Sequence, residues 1–132
     1  MIVVDSSALV AIMRGEPEAG RFLETIATAD ALLLSAVNYL ETSMVLAGPK
    51  GEATVWHPLE AFLARANIVV APFDQEQARA AREAFLRFGK GRHPAALNFG
   101  DCAAYALAKA RRAPLLFKGE DFAKTDIAPA LA

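Results

Sequence analysis

Gly100-Asp101 opens a run, Cys102-Ala103-Ala104-Tyr105-Ala106-Leu107-Ala108-Lys109-Ala110, that is filled with helix-forming residues. An aspartate in a first helical turn has two physical uses. It can complement the positive end of the helix dipole, or it can present an ionised carboxylate to a cation in a shared site. Capping is the default for an aspartate standing alone. The balance changes if other acids reach the same place, and three are candidates. Asp5 directly follows Ile2-Val3-Val4. Glu41 lies three residues after Asn38, and so on the same helical face. Asp121 closes Leu115-Leu116-Phe117-Lys118-Gly119-Glu120.

Three or four carboxylates brought together repel unless they are protonated or neutralised. With no cluster of Cys or His nearby, an all-oxygen site points to Mg²⁺ or Mn²⁺ rather than Zn²⁺. Such a site can bind a phosphodiester, polarise it and activate water against it. Competing chemistries find little support. The two histidines, His57 and His93, sit in loop-like contexts without ligand spacing. No Ser-His-Asp or Cys-His arrangement is present. Gly48-Pro49-Lys50-Gly51 lacks the spacing of a phosphate loop. A phosphoacceptor domain would need paired acids beside the first strand, and Asp5 has no acidic neighbour.

The elements that would position these acids alternate. Ile2-Val3-Val4, Leu32-Leu33-Leu34, Ile68-Val69-Val70-Ala71 and Pro114-Leu115-Leu116-Phe117 read as short buried strands. Helical patterns follow them: Ala8 to Met13, a second helix carrying Phe22, Leu23 and Ile26 after Gly15-Glu16-Pro17-Glu18, and Ala36 to Ala47 with Val37, Leu40, Met44 and Val45 as its expected buried face. Glu52 to Ala66 is another, starting or kinking near Pro58. Gln75 to Phe88 is capped by Asp74 and Gln77. Lys124-Thr125-Asp126-Ile127 reads as a short final strand. Strands alternating with helices predict a three-layer α/β/α sandwich around a mostly parallel sheet. In that fold strand C-termini and helix N-termini share one rim, where ligands bind. Asp5, Glu41, Asp101 and Asp121 all fall on it, and so does Asp74. There the helix dipole would also help keep Asp101 ionised.

The 132 residues are 55% hydrophobic and 22% charged, which predicts a single domain with a real core over residues 1–132. A net charge of −1 makes no overall commitment to nucleic acid, so contacts to RNA would be local. Basic residues such as Lys90, Arg92, Arg14 and Lys118 are expected to make them, Lys90 and Arg92 in the flexible basic loop Gly89-Lys90-Gly91-Arg92-His93-Pro94. The single Cys102 reads as a packing residue in a reducing compartment. The start lacks the pattern of a secretory signal, and no apolar stretch is long enough to span a bilayer. The expectation is a soluble cytoplasmic protein with no membrane association.

Asp5-Ser6-Ser7-Ala8-Leu9, the helix with Asn38 and Glu41, Leu97-Asn98-Phe99-Gly100-Asp101-Cys102, and Leu115 to Phe122 followed by Thr125-Asp126-Ile127 resemble the PIN-domain ribonucleases. The resemblance spans nearly the whole chain and is greatest to VapC-type toxins of bacterial toxin–antitoxin pairs. It implies a Mg²⁺-dependent endoribonuclease cutting structured RNA such as tRNA or rRNA. It also implies a homodimer, and a partner antitoxin whose C-terminal segment reaches the acidic site. Carried onto this chain, Asp5 and Asp101 are the main metal ligands, and Glu41 binds metal or orients the attacking water. Asp121 completes the quartet, with Glu120 and Asp126 as alternatives, and Ser7 hydrogen-bonds a carboxylate or a metal-bound water. The alternative function is a non-catalytic RNA- or protein-binding module on the same fold.

Overall fold

Four short strands, β1 (Ile2–Val4), β2 (Leu32–Ser35), β3 (Ile68–Ala71) and β4 (Leu115–Leu116), form the sheet of the computed structural model, which describes residues 1–131. All pairings are parallel, in the order β3-β2-β1-β4. Successive strand residues point to opposite faces, and here both faces are covered except at the edge strand β3, expected to be buried, whose Val69 and Val70 are exposed. Val3, Leu33, Ala71 and Leu115 enter one core with Phe88, Tyr105 and Leu107. Val4, Leu32, Leu34, Ile68 and Leu116 enter the other with Leu9, Phe22, Leu59 and Leu63. Burial on both sides is why these strands read as continuous apolar runs rather than alternating ones.

Six helices cover the sheet: α1 (Ser6–Met13), α2 (Ala19–Thr28), α3 (Ala36–Ala47), α4 (Trp56–Arg65), α5 (Gln75–Phe88) and α6 (Phe99–Arg111). Residues of α1, α2 and α4 fill one core; those of α5 and α6 fill the other. The expected α/β/α sandwich is therefore the architecture observed. Because β2 lies on one side of β1 and β4 on the other, the chain changes direction across the sheet at β1. The crevice beyond the end of β1 is the topological switch point, where open parallel sheets bind ligands. Asp5 is the first residue past that end. Among the described residues, no helix is long and apolar enough to cross a membrane.

Several elements depart from expectation. The inner face of α3 is not Val37, Leu40, Met44 and Val45. Leu40 and Met44 are 59% and 63% exposed, whereas Asn38 and Thr42 are fully buried. α3 packs against α1 and α6 as well as the sheet, so its inward side meets helix starts, whose polar backbone groups suit an amide better than a leucine. Leu23 on α2 is exposed, leaving Phe22 and Ile26 to make the contact. A 3-10 turn at Ala53–Val55 leads into α4, placing Pro58 in the first turn, where a missing N–H costs nothing. The loop at 89–98 is not a loose connector: Lys90 N–H donates to the Leu97 carbonyl, and those of Arg92 and His93 donate to that of Gly89. Lys124–Ile127 forms no strand. A 3-10 turn covers Phe122–Lys124, and the tail meets the sheet in one parallel bridge between Pro129 and Leu115.

The Thr42 hydroxyl is buried and has no hydrogen-bond partner, which costs on the order of 1 kcal/mol or more. Thr42→Val keeps the shape and removes the orphan group. Urea denaturation is expected to show unchanged or higher stability, by up to about 1 kcal/mol. A clear loss of stability would mean the hydroxyl is satisfied.

Candidate active site

The site starts with the cap of α1. Asp5 leaves β1 with extended backbone (φ −84°, ψ 155°) and caps the helix, its Oδ2 accepting from the Ser7 N–H at 3.0 Å. The Ser7 hydroxyl donates to the same oxygen at 2.6 Å and itself accepts from the Lys118 N–H at 2.9 Å. Ser7 thus ties the segment after β4 to the carboxylate after β1. The other carboxylate oxygen, Oδ1, is buried with no hydrogen-bond partner, and Asp5 as a whole is 3% exposed. Burial pushes its carboxyl up to about 7; the two Ser7 hydrogen bonds oppose this, and the nearby charges of Asp101 and Glu41 add to it.

Asp101 stands one step further into its helix than expected. α6 begins at Phe99, and Asn98 is its N-cap. Asn98 Oδ1 accepts from the Asp101 N–H at 2.9 Å, while Asp101 Oδ2 accepts from the Asn98 N–H at 3.0 Å, a reciprocal capping box. Only one carboxylate oxygen is used in this way. Burial dominates the Asp101 carboxyl and holds it above the ordinary carboxylate range. The Asn98 N–H lowers it, and the charges of Glu41 and Asp121 raise it again. The hydrogen bond from the helix start thus favours the ionised form, as expected there, and burial opposes it.

Two further features bring the acids together. The buried Asn38 amide donates to the Ser6 hydroxyl at 3.0 Å and to the Gly100 carbonyl at 3.1 Å, while the Ser6 hydroxyl leans back on the Asn38 carbonyl at 3.3 Å. One side chain on α3 thus joins the first turns of α1 and α6. One turn along, the Glu41 carboxylate lies directly against Gly100. A Cβ at that position would sit 2.4 and 2.5 Å from its two oxygens, closer than atoms can approach. Asn38 and Glu41 were visible in the sequence as a pair on one face. Gly100 was not read as anything beyond a helix start, though a glycine inside an alanine-rich helix is itself a sign of close approach.

Asp5, Ser6, Ser7, Glu16, Glu41, Asn98, Asp101 and Lys118 line one open cleft of about 330 Å³. Glu16 was not anticipated. Asp121 is exposed at the start of the 3-10 turn and does not line the cleft, but its charge is felt at Asp101. Asp126 is occupied elsewhere. It accepts from the Tyr105 hydroxyl at 2.5 Å and pairs with Lys109 at 3.0 Å and Arg87 at 3.6 Å. Glu120 is exposed. Asp74 only caps α5, accepting from the Gln77 N–H. Lys90 and Arg92 do not line the cleft; the Arg92 Nε donates to the Leu86 carbonyl and Arg14 to that of Val45. His93 accepts from the Ala95 N–H and packs edge-on against Phe88. Cys102 is buried, its thiol pushed up to about 11, as suits a packing residue.

Among the described residues, no three His, Cys, Asp or Glu side chains close into a ready-made metal cage. What the cleft offers is open: oxygen donors only, and a buried Asp5 Oδ1 left without a partner. Those features fit a hard cation that keeps part of its water shell and takes few protein ligands.

A PIN-domain family model matches residues 2–128. Ribonuclease VapC28 of Mycobacterium tuberculosis is 45% identical over 131 residues, covering 98% of both chains. Among solved structures, Mycobacterium tuberculosis VapC20, described as a sarcin-ricin loop cleaving toxin, superposes with a TM-score of 0.77 at 17% identity, covering 97% of each chain. VapBC2 of Rickettsia felis, bound to a DNA fragment from its promoter, gives 0.72 at 19% identity, covering 98% of this chain and 96% of that one. At such identities the structures speak for the fold.

The raised Asp5 carboxyl has a consequence for stability. Unfolded, the group titrates near 3.8; folded, near 7. Between those values the folded protein holds a proton that the unfolded chain has released, so stability falls as pH rises through the window and levels off above it. Asp5→Asn removes this contribution. Denaturation in EDTA at pH 4.5 and 7.5 is expected to show the parent losing on the order of 3 kcal/mol more than the variant. Identical losses would contradict the burial assigned to Asp5.

Proposed function

Because the chain belongs to the PIN-domain family and, within it, to the VapC-type ribonucleases, we propose that it is a divalent-cation-dependent endoribonuclease toxin, acting as a single cytoplasmic nuclease domain on structured RNA such as tRNA or rRNA. The observation that carries the reading is the cleft in which Asp5, Glu41 and Asp101 meet, with one buried Asp5 oxygen unpaired.

In this reading Asp5 and Asp101 hold Mg²⁺ or Mn²⁺, Glu41 is the third acid, and Asp121 adds negative charge from the edge. A bound cation would neutralise the carboxylates, polarise the phosphodiester and lower the pKa of water. The chain's own residues do the positioning. Ser7 fixes the Asp5 carboxylate, leaving Oδ1 available. The capping box fixes Asp101 by one oxygen. Asn38 sets the spacing between them by joining the starts of α1 and α6, and Gly100 lets the Glu41 carboxylate come close to both.

Partners follow from the same reading. A cognate VapB-type antitoxin would silence the enzyme by covering the acidic cleft with its C-terminal segment. The homodimer implied by the family has a candidate surface in Leu40, Met44, Val45 and Phe99, an exposed apolar group beside the cleft in which Phe99 is 79% exposed.

Asp101→Asn is expected to keep the fold, by circular dichroism, and to lower Mg²⁺-dependent cleavage of total bacterial tRNA and rRNA by about two orders of magnitude or more. Asp126→Asn should cleave like the parent. RNA binding without cleavage by the parent would favour the non-catalytic module instead, and full activity in the Asp101 variant would remove the assignment.

Gly100→Ala tests the role of Glu41 separately. The atoms nearest the added methyl are the end of a flexible side chain, so the fold should survive while the Glu41 carboxylate is pushed off its place. Cleavage is expected to fall by roughly tenfold or more, about the size of a displaced metal-site partner. Unchanged cleavage would mean the contact between Glu41 and Gly100 has no catalytic part.

A further inference from the structure

Lys118 is the one cation lining a cleft otherwise made of acids and neutral groups. Of those acids its ammonium engages Glu16, and not Asp5, Glu41 or Asp101. It is paired with Glu16 at 2.5 Å and Glu18 at 3.3 Å, both in the segment between α1 and α2. All three side chains keep contact with solvent, between 28% and 38% exposed. Ion pairs of that kind contribute little to stability and give way readily to a competing partner. Glu18 is incompletely satisfied: while one oxygen faces Lys118, the other is buried without a hydrogen bond. Lys118 also stands on a boundary. On its far side a smaller cleft of about 160 Å³ is lined by Glu18, Arg21, Phe117, Lys118 and Gly119. Lys118 therefore lines both clefts, and a polyanionic strand lying from one to the other would pass its side chain.

We propose that Lys118 is a substrate-binding residue that Glu16 and Glu18 hold in reserve, and that an RNA phosphate flanking the cleavage site takes the ammonium over from them. The inference rests on the ribonuclease reading and adds to it a contact and a competitor. The two glutamates occupy the lysine when RNA is absent, so the acidic rim carries no unpaired positive charge there. When a phosphate arrives, the ammonium exchanges one set of anionic oxygens for another. Glu16 and Glu18 thereby set how strongly RNA must compete to be held. Lys118 has a second, separate duty, because its backbone N–H supports Ser7. A side-chain substitution leaves that hydrogen bond available.

The test measures binding and turnover on the full chain. Binding of a fluorescein-labelled mixed-sequence RNA hairpin is followed in EDTA over a salt series, and cleavage of total bacterial tRNA and rRNA is followed in Mg²⁺. Lys118→Gln is expected to weaken hairpin binding roughly three- to tenfold and to reduce the salt slope by about 0.7 to 1, the signature of one lost phosphate contact. Its KM should rise with kcat little changed. Glu16→Gln with Glu18→Gln should do the opposite, tightening binding about two- to fivefold. An unchanged salt slope in Lys118→Gln, or a loss confined to kcat, would overturn the proposal, the latter by showing that Lys118 acts only through Ser7. Weaker or unchanged binding in the double glutamate variant would overturn the competitor role. A parent chain that cleaves while these variants behave like it leaves the ribonuclease reading standing and removes this one; a parent that does not cleave removes the ribonuclease reading, and with it this inference.

Discussion

An aspartate carboxylate shut away from water at the end of the central strand is the constraint on which the rest of this structure depends. Asp5 has one oxygen satisfied twice by Ser7 and the other satisfied by nothing in the chain. Such a group is costly in a protein interior, and the cost is raised by two further acids nearby. The fold tolerates it because the surrounding framework is well secured. β1 is hydrogen-bonded on both sides, and the starts of α1 and α6 are held by the buried Asn38 amide. Stability given up at one carboxylate is what a site for a cation and a polyanion would require of the apo protein.

The architecture was legible because parallel strands covered on both faces leave apolar runs, and because helices separate every pair of successive strands. Rim logic then placed Asp5, Glu41 and Asp101 together from their positions at strand ends and helix starts. Partners and distances lay beyond that logic. Asp126, an alternative to Asp121 in the sequence, neutralises Lys109 and Arg87 and receives the Tyr105 hydroxyl. Asp121 falls on the correct rim yet remains outside the cleft.

The clearest failure is α3. A pattern of Val37, Leu40, Met44 and Val45 normally marks the buried side of a helix. Here the inner side carries Asn38 and Thr42, since α3 packs partly on the polar ends of other helices. Periodicity assumes an apolar neighbour, and a helix that braces helix N-termini breaks that assumption. The part played by Gly100 and the pairing of Glu16 with Lys118 were hidden for a related reason. Each depends on a contact across more than twenty residues of chain, which no local pattern records.

The charge arrangement ties these features together. A chain of net charge −1 has no general attraction for RNA, and its cleft is locally acidic. Binding a phosphodiester there requires positive charge from outside the carboxylate set. The central claim is that a divalent cation supplies it at the unpaired Asp5 oxygen. Crystals soaked in Mn²⁺ and recorded at the manganese absorption edge address this directly. The account predicts an anomalous peak in contact with Asp5 Oδ1 and the Asp101 carboxylate. A cleft without such a peak, or manganese bound only to acids elsewhere on the surface, would contradict it.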